Sequence, residues 1–158
     1  MKSFLLNKAT NTPIVRWSLV PNNCFFEGAI PEGYALAVAP SENYIVLDVD
    51  KKNGKNGFAS IPIHISGLLE HTFYYYTKSG GAHYWIKYTG DKVLLNTSTK
   101  YGLDLRIGAK PGNSGGYVKY PHNVDIRQCI QLIKESSSEL NVWLESLFCG
   151  VNHEKYGK

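Results

Sequence analysis

Cysteine is scarce in this 158-residue chain: there are three, Cys24, Cys129 and Cys149, with no C-x-x-C pair among them. That spacing excludes a zinc ribbon and argues against a disulfide scaffold. Charged residues are sparse at 19%. No apolar run approaches the roughly 20 residues that a membrane-spanning helix needs. The first residues, Met1 to Lys8, carry basic side chains but too few apolar ones for a secretory h-region. A G-x-x-x-x-G-K-[ST] motif is missing, so no P-loop ATPase is encoded. Repeats, low-complexity tracts and linker-like stretches are missing too, which points to one domain over residues 1–158. The expectation is a soluble cytoplasmic domain with no membrane contact.

What is present is a core-forming composition. Hydrophobic residues make up 43% and aromatics 13%, with 11 tyrosines, which excludes compositional disorder and favours sheet. The net charge of +4 is unevenly spread. Residues 51–119 hold ten Lys and Arg against three Asp and Glu, a net +7, while the flanking segments are slightly acidic. A basic middle third suits an anionic partner, and equally a lysine-covered solvent face.

Four prolines between residues 13 and 40 break the N-terminal part into short pieces. Residues 34–38 and 44–50 read as strands around a turn at 39–43, and the second has the continuous apolar run of a strand covered on both faces. A short helix is expected within 58–70. Residues 72–77 and 83–88 are β-rich and flank Lys78-Ser79-Gly80-Gly81-Ala82, a hairpin signal. Strands at 102–107 and 116–120 surround a glycine-rich loop. From about 124 to 148 the pattern becomes helical, with Asn123 capping a helix over 124–134 and Ser136-Ser137-Ser138-Glu139 capping a second. Val142, Trp143, Leu147 and Phe148 read as its core-facing stripe. The fold class is α+β, with a mainly antiparallel sheet flanked by helices.

Three features could carry chemistry. Asp48 and Asp50 lie at i and i+2, so both carboxylates project from one strand face about 6.6 Å apart. They end a run apolar enough to be buried, where unpaired carboxylates are costly; a divalent metal removes that cost, and oxygen ligands suit Mg²⁺ or Mn²⁺. A strand simply leaving the core gives the same pattern. Gly80-Gly81-Ala82-His83 lets backbone amides approach a ligand with a histidine facing them, or is a plain hairpin turn. Asp104 sits in an apolar strand with Arg106 on the same face, as a ligand or as half of an ion pair. His64, His71, His122 and His153 show no ligand-type spacing.

In order, Leu47-Asp48-Val49-Asp50, then Thr77-Lys78-Ser79-Gly80-Gly81-Ala82-His83, then Gly102-Leu103-Asp104-Leu105-Arg106 and Gly116-Tyr117-Val118 closely resemble the primase–polymerase (Prim-Pol) domain of the archaeo-eukaryotic primase superfamily. The resemblance covers roughly residues 30–120. It implies a two-part α+β catalytic fold with an RRM-like sheet. It implies that Asp48, Asp50 and Asp104 are metal carboxylates and that His83 contacts the phosphates of the incoming nucleotide. Ser79, Gly80 and Gly81 would form the phosphate cradle, and Arg106 would neutralise charge.

The implied function is a template-dependent DNA primase/polymerase of a virus, phage or other mobile element, working by a two-metal mechanism with Mg²⁺ or Mn²⁺. Its partners would be a single-stranded DNA template or primer-template, nucleoside triphosphates and a separate helicase, in a bacterial or archaeal cytoplasm. Two other classes fit the residues: a non-catalytic single-strand-binding replication module, and a metal-dependent nuclease, which gives no reason for the Gly-Gly-x-His turn. Tyr74, Tyr76, Tyr84 and Trp85 are candidate stacking platforms or core.

Overall fold

The computed structural model describes residues 1–108, 115–121 and 124–149. Most of the glycine-rich loop after residue 108, together with His122, Asn123 and His153, lies outside the described residues.

The strands are β1 (Lys2–Asn7), β2 (Thr12–Pro13), β3 (Tyr34–Ala39), β4 (Tyr44–Val49), β5 (Tyr74–Tyr76), β6 (Ala82–Lys87), β7 (Thr97–Ser98), β8 (Leu103–Ile107), β9 (Val118–Tyr120) and β10 (Lys134–Glu135). The helices are α1 (Ile63–Leu69), α2 (Ile126–Cys129) and α3 (Ser138–Phe148). The chain is α+β, and its strands form two sheets. One is four-stranded in the order β2-β1-β3-β9; the other is six-stranded, β10-β6-β4-β8-β7, with β5 also on β6. All pairings are antiparallel except β10 with β6. A strand has only two edges. Since β4 takes one edge of β6, β5 and β10 share the other, at Ala82–Tyr84 and Ile86–Lys87 respectively.

Period-2 alternation sorts the larger sheet's side chains cleanly. Ile45, Leu47 and Val49 of β4, Tyr84 and Ile86 of β6, and Leu103, Leu105 and Ile107 of β8 face one way. They bury the helix residues Ile65, Leu69, Leu140, Leu144 and Phe148. The opposite face carries Val46 and Trp85, which pack onto Val38, Val118 and Tyr120 of the smaller sheet. β4 is therefore covered on both sides, as its apolar run requires.

The expected strands and the 74–87 hairpin are present. The turn after β3 does not close a hairpin, because it carries the chain from one sheet to the other. The strand β1 was not expected, although it forms a six-residue ladder with β3.

The expected helix over 124–134 is corrected. Helical turns end at Leu132, and Lys134–Glu135 become β10. Tertiary pairing overrides local propensity here: the Lys134 N–H donates to Thr72 Oγ1 at 2.9 Å, and β10 lies along β6. Asp125 caps α2 by accepting from the Arg127 N–H. Ser137 caps α3 as its sequence suggests. The stripe of α3 also needs correction. Leu140, Leu144 and Phe148 are buried at four-residue spacing, whereas Val142, two positions from Leu140, faces solvent. Among the described residues, no helix is long and apolar enough to cross a membrane.

Candidate active site

The register of the larger sheet builds the site. Asp48 on β4 stands opposite His83 on β6 and opposite Asp104 on β8. The three residues therefore form one row across three neighbouring strands, on the face turned toward the smaller sheet. His83 Nε2 lies 3.3 Å from Asp48 Oδ1, and Arg106, two residues along β8, reaches Asp104 at 3.6 Å. His83 is 6% exposed and Asp104 8%.

Asp50 lies just past the end of β4, and its backbone is held from both sides. Its N–H donates to the Gly102 carbonyl at 2.8 Å, and its own carbonyl accepts from the Gly57 N–H at 2.7 Å. A Cβ on Gly57 would collide with that Gly102 carbonyl, so the close approach requires glycine. The Asp50 side chain has no hydrogen bond or ion pair among the described residues. Burial raises its pKa above the usual carboxylate value, and the charges of Asp48 and Asp104 add to the effect, partly offset by Lys52 and Lys55.

A cleft of about 590 Å³ opens between the sheets over this row. Asp48, Asp50, His83, Arg106 and the turn Thr77-Lys78-Ser79 line one side; Lys8, Tyr34, Tyr117 and Lys119 line the other. The basic middle segment thus contributes Lys52, Lys78, Arg106 and Lys119 to the cleft. In the turn, Gly80 has φ +93° and its N–H donates to the Thr77 carbonyl at 3.0 Å, which closes the loop. Gly81 packs against the Val49 carbonyl with no room for a Cβ. Ser79 is the turn residue beside Thr77 and Lys78 that borders the cleft.

The sequence therefore finds residues that the fold brings together: Asp48, Asp50, Ser79, His83 and Arg106 border one cleft, with Asp104 in register beside Asp48 and Gly80 and Gly81 in the adjoining turn. Of the aromatic residues open to stacking or core roles, two are core. Tyr84 is buried in the helix-side core, and Trp85 is fully buried between the sheets. Tyr76 stays 66% exposed and lines the cleft.

Sequence reasoning missed Tyr75. Its hydroxyl lies 3.1 Å from His83 Nδ1 and accepts from Trp85 Nε1 at 3.2 Å. Counting back across the hairpin turn would have found it, since Tyr75 is the register partner of His83. Lys8 and Tyr34 carry no such signal; they reach the cleft only because β1 and β3 pair.

Among the described residues, no three His, Cys, Asp or Glu side chains stand gathered for a metal ion. The donor chemistry nonetheless fits a hard divalent cation. Asp48, Asp50 and Asp104 offer oxygen alone, and Asp50 bears an electrostatic penalty from the other two that a cation would relieve.

No curated protein matches the chain. A family model does: residues 8–140, which include every residue of the row and the turn, match Prim-Pol, the N-terminal domain of bifunctional DNA primase/polymerases. With a histidine–acid–acid row in a cation-rimmed cleft and a match over most of its length, the chain belongs to the Prim-Pol family.

Proposed function

We propose that the protein is a template-dependent nucleotidyltransferase, a DNA primase/polymerase of a virus, phage or other mobile element, with residues 1–158 as a single catalytic domain. The observation that carries this reading is the His83–Asp48–Asp104 row with Asp50 beside it, facing a cleft with lysines on both sides.

In this reading Asp48, Asp50 and Asp104 hold Mg²⁺ or Mn²⁺. Two such ions would supply Lewis-acid charge that clamps a triphosphate and favours attack by a 3′-hydroxyl. The chain's own groups do the rest. His83 and the Ser79 hydroxyl meet triphosphate oxygens beside the turn, with Gly80 and Gly81 shaping its backbone. Arg106, already against Asp104, offsets negative charge as the phosphates enter. Lys8 and Lys119 hold a strand's backbone on the far side, with little sequence preference. The partner would be a single-stranded DNA template or a primer-template, opened by a separate helicase in a bacterial or archaeal cytoplasm.

One observation favours a second reading. Asp48 and Asp104 each already have a side-chain partner from the chain itself, His83 and Arg106. A strand-binding module without turnover could keep this arrangement. Incubating the protein with template, labelled nucleoside triphosphates and Mn²⁺ separates the readings. Template-directed extension supports the polymerase; binding without extension supports the module; shortening of the template supports a nuclease.

A further inference from the structure

The hydrogen bonds behind His83 have a direction. The Trp85 indole N–H can only donate, and at 3.2 Å it donates to the Tyr75 hydroxyl oxygen. That leaves the Tyr75 proton to be spent, and the nitrogen in reach is His83 Nδ1 at 3.1 Å. Burial pushes the Tyr75 phenol well above its ordinary value, so the proton stays on it. A hydroxyl that donates to Nδ1 needs a lone pair there. In a neutral imidazole the ring proton is then on Nε2, which faces Asp48 Oδ1 at 3.3 Å. The opposite tautomer sets the Nε2 lone pair against a carboxylate and leaves the Tyr75 proton without an acceptor among the described residues.

We propose that Tyr75 and Trp85 are positioning residues that hold the His83 ring with a proton on Nε2, so that the nitrogen facing the cleft is always a donor. The polarity runs one way from Trp85 to Tyr75 to His83, whose Nε2 then faces Asp48. The architecture supports it. Trp85 is 0% exposed between the sheets, His83 lies two residues before it on the same face of β6, and Tyr75 is held opposite His83 by the β5–β6 ladder. The Tyr75 and His83 rings cross at 76° with centroids 5.3 Å apart, alongside the 3.1 Å contact between the hydroxyl and Nδ1. A donor at Nε2 suits the oxygen of a phosphate as well as that of Asp48. The inference deepens the proposed function and rests on it only for the identity of that phosphate.

The test reads the proton directly. Two-bond ¹⁵N–¹H spectra of the full chain, labelled at histidine and recorded where imidazole is neutral, report which ring nitrogen of His83 is protonated. The expected result is a single Nε2–H tautomer in the wild type. In Tyr75→Phe, which keeps the ring, a mixture of tautomers is expected. The apparent nucleotide KM should then rise about three- to tenfold, as for one weakened hydrogen bond, with kcat and template affinity nearly unchanged. An Nδ1–H tautomer in the wild type overturns the proposal, and that measurement needs no variant to fold. An unchanged tautomer in Tyr75→Phe overturns it as well. Should the tautomer shift while nucleotide KM stays constant, the positioning role stands and the phosphate contact of His83 is the part that fails.

Discussion

Asp48 and His83 are register partners on adjacent strands, and their side chains meet at 3.3 Å on the face turned toward the cleft. Neighbouring strands place opposed Cβ atoms on the same side of a sheet, so the pair is a direct product of the ladder. Asp104 extends the row by the same rule on the other edge of β4. Three residues separated by up to 56 positions in the chain thus share one line, and the predictions below test what that line does.

Asp48→Ala, Asp50→Ala and Asp104→Ala are each expected to abolish metal-dependent synthesis, by far more than tenfold, with the fold retained. His83→Ala is expected to be milder, on the order of ten- to a thousandfold in kcat or kcat/KM, as for one lost donor to developing charge. Primer extension at matched folding, checked by circular dichroism, is the measurement. Near-normal extension by any one of the three alanine variants at an acid removes that acid from the ligand set.

Asp50 gives a pH dependence with a definite sign. Its folded-state pKa is raised, chiefly by burial, while an unfolded Asp titrates near 3.8. The folded state therefore holds the proton more tightly. That contribution to stability is fully present below about 3.8 and is lost as pH rises through the raised value. Asp50→Asn should accordingly have a higher Tm than wild type at neutral pH, with the advantage disappearing below that range. Mn²⁺ should raise the wild-type Tm and leave that of Asp50→Asn nearly unchanged. A variant that is less stable at neutral pH than wild type contradicts the sign.

Gly57→Ala should act on the site from outside it. The new methyl meets the Gly102 carbonyl, and both backbones hold Asp50. Overpacking of this kind costs about 1–3 kcal/mol. The expected result is a lower urea midpoint together with a loss of synthesis larger than the instability explains. A variant of full activity would show that Asp50 tolerates displacement.

How much of this was legible beforehand differs by element. Asp104 lies on a strand with clear period-2 alternation, so its shared face with Arg106 could be read directly, and the order of the motifs ties it to Asp48 and His83, whose strands read as β-rich apolar runs. The Tyr75 contact could not, because it depends on the position of a hydroxyl, although the hairpin register was available. β10 was hidden since residues 124–134 have a helical pattern, of which only the last part, from Lys134, becomes extended against β6. β1 was obscured by the prolines that follow it, and with it the side of the cleft that carries Lys8. Two-residue strands such as β7 leave no pattern at all.

The exposed ring of Tyr76 and the ammonium of Lys119 make a separate pair of predictions for strand binding. Tyr76→Ala should weaken single-stranded DNA by about 1–3 kcal/mol if a base stacks there. Lys119→Ala should lower affinity similarly for all sequences and reduce the log–log salt slope by about 0.7. Fluorescence anisotropy across a salt series measures both. Affinity that does not vary with salt in the wild type would rule out a phosphate-binding role for these lysines.

The two sides of the cleft belong to different sheets, and among the described residues no backbone ladder joins them. Their separation is therefore not set by the spacing of a strand ladder. It is fixed by a stack of side chains, Val46 and Trp85 from one sheet and Val38 from the other, which works as a gauge block between two jaws. None of the three borders the cleft. Close-packed interiors pass on even a single methylene's change in thickness. The calibre of ligand that the jaws accept is thus set by residues that no ligand touches, and it can be tuned in the interior without altering Asp48, Asp50, His83 or Asp104.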